Sequence, residues 1–261
     1  MRVLFLGDIV GTPGRRACRT ILPRLIDRER LDLVIANCEN TAGGAGVDGK
    51  SVRDLLDAGV DVLTSGNHVW RRPESTELIQ AERRLLRPAN FPPAAPGRGW
   101  MVGETAAGTP VAVLNLIGRV FMDSVDCPFR SAEAVLPELQ ARARVIIVDM
   151  HAEATSEKAA VGWFLAGKVS AVLGSHTHVQ TADERVLPGG TAYITDVGMC
   201  GPVDSVIGVD RELAVRRFVT HMPVKFAVAS GPVIVQGAIV DVDAESGHAQ
   251  GIRRVQQLHT D

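Results

Sequence analysis

The sequence predicts an α/β protein of parallel βαβ units forming one domain over residues 1–261, and three observations carry that prediction. Short apolar runs ending in glycine or polar residues recur along the first two thirds of the chain, as buried strands do. Segments with apolar residues at helical spacing lie between them, the alternation a parallel sheet requires. The composition, 46% hydrophobic and 22% charged over 261 residues, is that of a globular chain. A chain this long buries roughly three quarters of its unfolded surface without disulfides.

The elements follow in order. Arg2–Leu6 is a buried strand opening at Gly7-Asp8. Ala17, Ile21, Leu22, Leu25 and Ile26 mark a helix from about Arg15 to Arg30, with Pro23 leaving its start open. Leu31–Ala36 is a second strand, ending at Asn37-Cys38-Glu39-Asn40. A glycine-rich loop leads to a helix near Ser51–Ala58, for which Ser51 is the expected N-cap. Asp61–Gly66 is a third strand, ending in Asn67-His68. Thr109–Gly118, Arg144–His151 and Val169–His176 are further strands, separated by helices near Ser131–Arg142 and Ser156–Ala166. The last third (TAYITDVG, PVKFAVASG, PVIVQGAIVDVD, GIRRVQQL) reads as β-rich with short turns, which predicts antiparallel strands.

Charge and cysteine content exclude several function classes. The net charge of −2 leaves no basic footprint for long nucleic acids. Cys18, Cys38, Cys127 and Cys200 form no Cys-x-x-Cys pair, so free thiols in a reducing cytosol are expected. No basic-then-apolar leader opens the chain and no apolar run reaches membrane length, so the expectation is a cytoplasmic protein without membrane association.

The chemistry lies in where polar residues fall. Asp8, Glu39, Asn67, His151 and His176 each stand at the end of a predicted strand, and the carboxyl ends of strands form the ligand crevice of open α/β sheets. His178 joins them, since positions i and i+2 of an extended segment face the same way. Singly, each has a plainer reading: a strand-end Asp as a turn or cap, Asn67 as a turn former, His151 as a hydrogen-bonded core histidine. Together they make a metal cup. Oxygen and imidazole donors without thiolate suit manganese, iron or zinc, and two such ions clamp a phosphoryl oxygen and generate hydroxide near neutral pH.

The order Gly7-Asp8, Cys38-Glu39-Asn40, Gly66-Asn67-His68, His151 and Gly174-Ser175-His176-Thr177-His178 resembles the calcineurin-like metallophosphoesterases. The stretches GDIVGTPGR, GNHVW, RPANFP, DMHAEATSEK, HTHVQTAD and TAYITDVGMCGP resemble more closely the YmdB family of bacterial phosphodiesterases, over nearly the whole chain. The resemblance implies a four-layer α/β/β/α sandwich. It also implies hydrolysis of 2′,3′-cyclic nucleotides, with 3′,5′-cyclic ones as the second class, using two divalent ions, iron or manganese before zinc. Carried over by position, one ion takes Asp8, Glu39, Asn40 and His178. The other takes Glu39, Asn67, His151 and His176, with Glu39 bridging, and His68 is the general acid. Two departures stand out: Val10 occupies the place of a histidine ligand in the broad superfamily, and Val69 follows His68 where an acidic residue often sits.

Arg87, Asn90 and Arg119 are candidate phosphate contacts or loop-shaping residues. Thr155 and Ser156 are expected to cap the helix after His151, or, with Glu153 and Lys158, to support His151; Gln180 and Asp183 are candidates to support the histidines. His221, His248 and His259 read as surface residues. Trp70, Trp100, Trp163 and Phe91 read as core, Trp70 and Phe91 alternatively as walls of a base pocket. Gly7-x-x-x-Gly11-x-x-Gly14 imitates a dinucleotide fingerprint, but Asp8 beside a pyrophosphate is repulsive and Pro13 removes a donor. Other readings are a metal-binding regulator acting on protein or RNA, and a nuclease or phosphomonoesterase on the same site. A homo-oligomer is compatible with all of them.

Overall fold

The computed structural model describes residues 1–260. Two mixed sheets lie face to face. The first holds β1 (Arg2–Leu6), β2 (Asp8–Ile9), β3 (Leu33–Asn37), β4 (Val62–Thr64), β11 (Met199–Pro202), β12 (Val233–Val242) and β13 (Ala249–His259). Its order is β2-β11-β12-β1-β3-β4, with β13 pairing β12. The second holds β5 (Trp100–Glu104), β6 (Pro110–Ile117), β7 (Val145–His151), β8 (Ala171–Ser175), β10 (Thr191–Ile194) and β9 (Arg185–Leu187), in the order β5-β6-β7-β8-β10-β9.

Alternation along each strand explains the layering. In β1, Val3 and Phe5 face the second sheet, while Leu4 and Leu6 face outward. Val3, Phe5 and Ile35 pack with Val113, Ile147 and Leu173 in a core between the sheets. A second core lies between the first sheet and the helices α1 (Gly11–Glu29) and α2 (Gly49–Leu56). A third lies between the second sheet and α4 (Pro128–Arg142) and α5 (Thr155–Leu165). Both faces of each sheet are therefore covered, and the result is a four-layer α/β/β/α sandwich. The helices α3 (Ser75–Ala81) and α6 (Arg211–Thr220) lie in the connections between strands. Among the described residues no helix is long and apolar enough to cross a membrane, and all four cysteines are free thiols.

Several local expectations need correction. The first helix starts at Gly11, not Arg15, and carries Pro23 inside it. α2 is capped by Asp48, whose carboxylate accepts from Ser51 N at 2.6 Å; Ser51 is the other half of a capping box. α5 begins after Ala154 with no side-chain cap, so neither Thr155 nor Ser156 caps it. TAYI forms β10, antiparallel to β9 but parallel to β8. PVKFAVASG forms no strand beyond one bridge, Val209 to Val228. Only the last two segments give the long antiparallel pair expected, β12 with β13.

Candidate metal centre

The cup forms where the carboxyl ends of strands from both sheets meet. Asp8 follows Gly7 at the end of β1. Two residues past β3, Glu39 is aimed by a local turn in which Asn37 Oδ1 accepts from Glu39 N at 3.1 Å. Asn67 and His68 follow β4; there Ser65 N donates to Asn115 Oδ1 of β6 at 2.9 Å, stitching the two sheets together. His151 is the last residue of β7, and His176 is the first after β8. His176 and His178 do reach one site, but not by extended alternation. β8 stops at Ser175, and the two histidines have φ of 100° and 64°. Non-glycine residues in this region are strained and persist where the surroundings fix them.

Ligand-type atoms converge on one point. Glu39, His151 and His176 each bring one such atom within 4.8 Å of the others. His151 Nε2 lies 3.1 Å from His176 Nδ1, 3.2 Å from Asn67 Oδ1 and 3.3 Å from Glu39 Oε1. On the other side of Glu39, His178 Nε2 lies 3.7 Å from Asp8 Oδ1 and accepts from Asn40 Nδ2 at 3.2 Å. Asp8 Oδ1 is fully buried and has no hydrogen-bond partner. Gly66 is obligatory here: a methyl group on it would collide with the His151 ring and with Glu39 Oε2.

Hydrogen-bond acceptors stand on the outer side of each histidine ring. His178 Nδ1 is 2.8 Å from the Ile207 carbonyl, an oxygen that can only accept, so Nδ1 carries hydrogen. Ser175 Oγ spends its single hydrogen on Asp149 Oδ1 at 2.6 Å, so it accepts from His151 Nδ1 at 2.9 Å. His176 Nε2 faces Glu153 Oε2 at 3.1 Å. All three rings thus donate outward to protein oxygens and turn the other nitrogen into the cup, the arrangement that supports imidazole on a cation. The residues present fit a metal site.

The electrostatics agree. Burial pushes the Asp8 and Glu39 carboxyls up. The nearby charges of His178 and His151 outweigh it at Asp8, and the charges and hydrogen bonds of His151 and His68 at Glu39, so both lie below the usual carboxylate range. Burial pulls His151 down, but Glu39, Asp8 and Asp149 carry it up to about 9. Burial and the His151 charge push His176 down to about 3. The buried carboxylates Glu39, Asp8 and Asp149 thus favour positive charge at His151, in a position a cation would fill.

A family model described as YmdB-like protein matches residues 4–255. The chain belongs to the YmdB-like family. A Bacillus subtilis (strain 168) protein named 2′,3′-cyclic-nucleotide 2′-phosphodiesterase is 46% identical over 255 residues, covering 98% of this chain and 96% of that protein. A hypothetical protein from Thermus thermophilus superposes with a TM-score of 0.93 at 43% identity, covering 99% of each chain. A novel phosphatase from Mycoplasma pneumoniae superposes with a TM-score of 0.93 at 34% identity, covering 100% of this chain and 94% of that one. A calcineurin-like phosphoesterase from Bacillus subtilis, 11% identical with a TM-score of 0.55, shares the fold.

Outside the cup, this YmdB-like chain holds its strained histidine loop from below. Asp196 Oδ2 accepts from Thr177 N at 3.1 Å and from Thr177 Oγ1 at 2.8 Å, gripping the residue between the two histidines. Lys158 Nζ reaches the same oxygen at 2.6 Å, and both side chains are buried. Lys158 is legible as a residue near His151; Asp196, at the end of TAYITD, follows a strand as the ligands do but stands in no motif with them.

Other candidates sit elsewhere. Asn90 is fully buried, with its amide spent on the carbonyls of Ile117 and Asp126 and on Ile117 N. The Arg87 guanidinium is held by the carbonyls of Pro88, Ala95 and Pro96. Both residues shape the RPAN loop through these bonds. The Arg119 side chain is exposed, while Arg119 N donates to the Glu157 carboxylate. Gln180 Nε2 ties the carbonyls of Val197 and Gly237, and Asp183 receives Thr181 and Thr195. Trp163, expected in the core, is 54% exposed; Trp70 and Phe91 pack on each other at 6.1 Å against the first sheet's helix-side core.

Proposed function

We propose that this chain is a binuclear metal-dependent phosphodiesterase of 2′,3′-cyclic nucleotides, with 3′,5′-cyclic nucleotides as the second class to test. One observation carries the reading: Asp8, Glu39, Asn40, Asn67, His151, His176 and His178 crowd one cup while Asp8 Oδ1 stays unpartnered. The name of the Bacillus subtilis relative, at 46% identity over nearly the whole chain, supports the substrate class. Asp8, Glu39, Asn40 and His178 would hold one ion; Glu39, Asn67, His151 and His176 the other. Glu39, whose Oε1 lies 3.3 Å from His151 Nε2, would be shared by the two ions. When bound, such ions polarise a phosphoryl group and acidify water. Iron or manganese matches the donor set, with zinc the alternative.

His68 is the proton donor to the leaving oxygen in this reading. Asn40 Oδ1, an acceptor only, lies 2.7 Å from His68 Nδ1, which therefore carries hydrogen. Glu39 Oε2 accepts from His68 N at 2.9 Å and fixes the backbone. Asn40 and Glu39 thus supply the orientation that Val69 cannot. The same reading takes residues 1–261 as one metallophosphoesterase domain, supported by β12, which pairs with β1, β11 and β13 from distant parts of the chain. It places the protein in the cytoplasm, with a small phosphodiester as its partner.

The test is a panel of 2′,3′- and 3′,5′-cyclic nucleotides, phosphomonoesters and short RNAs assayed with Mn²⁺ and Fe²⁺. Fastest turnover of a 2′,3′-cyclic nucleotide, lost together with metal in Asp8→Asn, is the expected result. Activity on phosphomonoesters alone, or full activity in a metal-depleted variant, would overturn it.

A further inference from the structure

A cavity of about 560 Å³ opens between the RPAN loop, the start of β5 and the end of α4. This volume lies in the range of small-molecule sites. Four arginines line it, Arg83, Arg87, Arg98 and Arg142, beside Trp100, and no carboxylate does. None of these residues belongs to the metal cup. In a chain whose net charge is −2, four guanidinium groups around one cavity are a local concentration of positive charge, and gathering them costs repulsion that an anion would offset.

Three of the four arginines have no carboxylate partner among the described residues, and Arg142 is paired with Glu138 at 3.3 Å. Nearby Glu82 is taken by Arg84, and Glu138 pairs only with Arg142. The side chains of Arg83 and Arg98 are exposed and make no hydrogen bond or ion pair among the described residues. Arg87 is buried, and its three bonds go to backbone carbonyls, which leave its charge unneutralised and two N–H groups unspent. Burial lowers its pKa with no carboxylate opposing. Arg142 lies over the Trp100 ring at 5.8 Å, which orients its fork at the cavity wall.

We infer that this cavity is a second ligand site, separate from the metal cup, for a small anion carrying two or more phosphoryl groups. Guanidinium forks match phosphoryl oxygens in pairs, and a cavity of about 560 Å³ has room for more than one phosphoryl group. The RPAN loop also connects this site to the cup's frame: Ala89 N donates to the Asn115 carbonyl at 2.7 Å, and the Asn115 side chain holds Ser65 ahead of Asn67.

The experiment is calorimetric titration of the metal-loaded protein with pyrophosphate and, separately, with inorganic phosphate, in wild type and in Arg83→Glu/Arg98→Glu. Both substituted positions are exposed, so the variant folds, and anion binding at the metal cup is common to both proteins. The expected result is pyrophosphate affinity about tenfold or more weaker in the variant, the loss of one or two charge-assisted hydrogen bonds. Inorganic phosphate should bind wild type at least about tenfold more weakly than pyrophosphate does, and hydrolysis of bis(p-nitrophenyl) phosphate should be equal in the two proteins. Equal pyrophosphate affinity in both proteins, or phosphate binding as tight as pyrophosphate, would overturn the inference. So would a variant that loses hydrolysis along with binding, since the cavity would then belong to the active site.

Discussion

Lys158 and Asp196 form a buried ion pair at 2.6 Å, and the carboxylate oxygen they share also grips Thr177 between His176 and His178. Breaking a buried pair from one side leaves an uncompensated charge, at a cost of about 3–5 kcal/mol. Lys158→Met should therefore lower the melting temperature substantially. It should also weaken metal binding, because both histidines hold left-handed backbone that Asp196 helps to fix. Thermal unfolding and metal titration on the same preparation check this; lowered stability with unchanged metal affinity would confine the pair to the core.

Gly66→Ala tests the crowding at the cup directly. The added methyl group meets the His151 ring and the Glu39 carboxylate, two of the three side chains closest to a metal geometry. Neither neighbour can withdraw, since both are buried. The expected outcome is metal content near zero by elemental analysis in a protein that still folds, with its secondary structure checked by circular dichroism.

How much of this was readable in the chain depends on whether a signal is local. The strand ends were, because apolar runs stop abruptly at Asp8, Glu39, Asn67 and His151. The division into two facing sheets was not, because β3 and β7 read alike as wholly buried runs, and periodicity cannot say which sheet a buried strand joins. That came from the family resemblance. The segment PVKFAVASG misled for a related reason: β-branched and aromatic residues score as strand, yet few of them are buried there. Asn90 stayed open between ligand contact and loop shaping, because its carbonyl partners lie 27 and 36 residues away and leave no local signal.

Ser175→Ala isolates the support of one ligand. Ser175 Oγ accepts from His151 Nδ1 and passes its own hydrogen to Asp149. Removing it frees the ring to rotate and weakens its donor power. Loss of such a partner costs about 10–100-fold in metal affinity. Competition with a chelator of known affinity measures the change, and the melting temperature of the metal-free protein should move little.

Asn40 and His68 can be separated by metal content. In the proposed site Asn40 is a ligand and also the acceptor for His68 Nδ1. Asn40→Ala should lose one of two ions per chain and slow turnover. His68→Ala should retain both ions, with turnover slower by about 100-fold or more, the usual contribution of a positioned acid. Two ions retained in Asn40→Ala would leave Asn40 only its orienting role.

The proton on His151 predicts how metal binding depends on pH. In the metal-free protein the folded pKa is raised to about 9 by Glu39, Asp8 and Asp149, against an unfolded value of about 6.5. A histidine raised on folding stabilises fully below its unfolded pKa, and that stability is lost as pH rises through the folded one. The metal-free protein should therefore lose melting temperature between about pH 6.5 and 9. A divalent ion must displace this proton, so metal affinity should rise over the same interval, with proton release on binding. His176, already deprotonated with its pKa near 3, should release none. Calorimetry of Mn²⁺ binding at about pH 7.5, between those two pKa values, in two buffers of different ionisation enthalpy counts the protons. A count of zero in wild type would mean that His151 is neutral before the metal arrives.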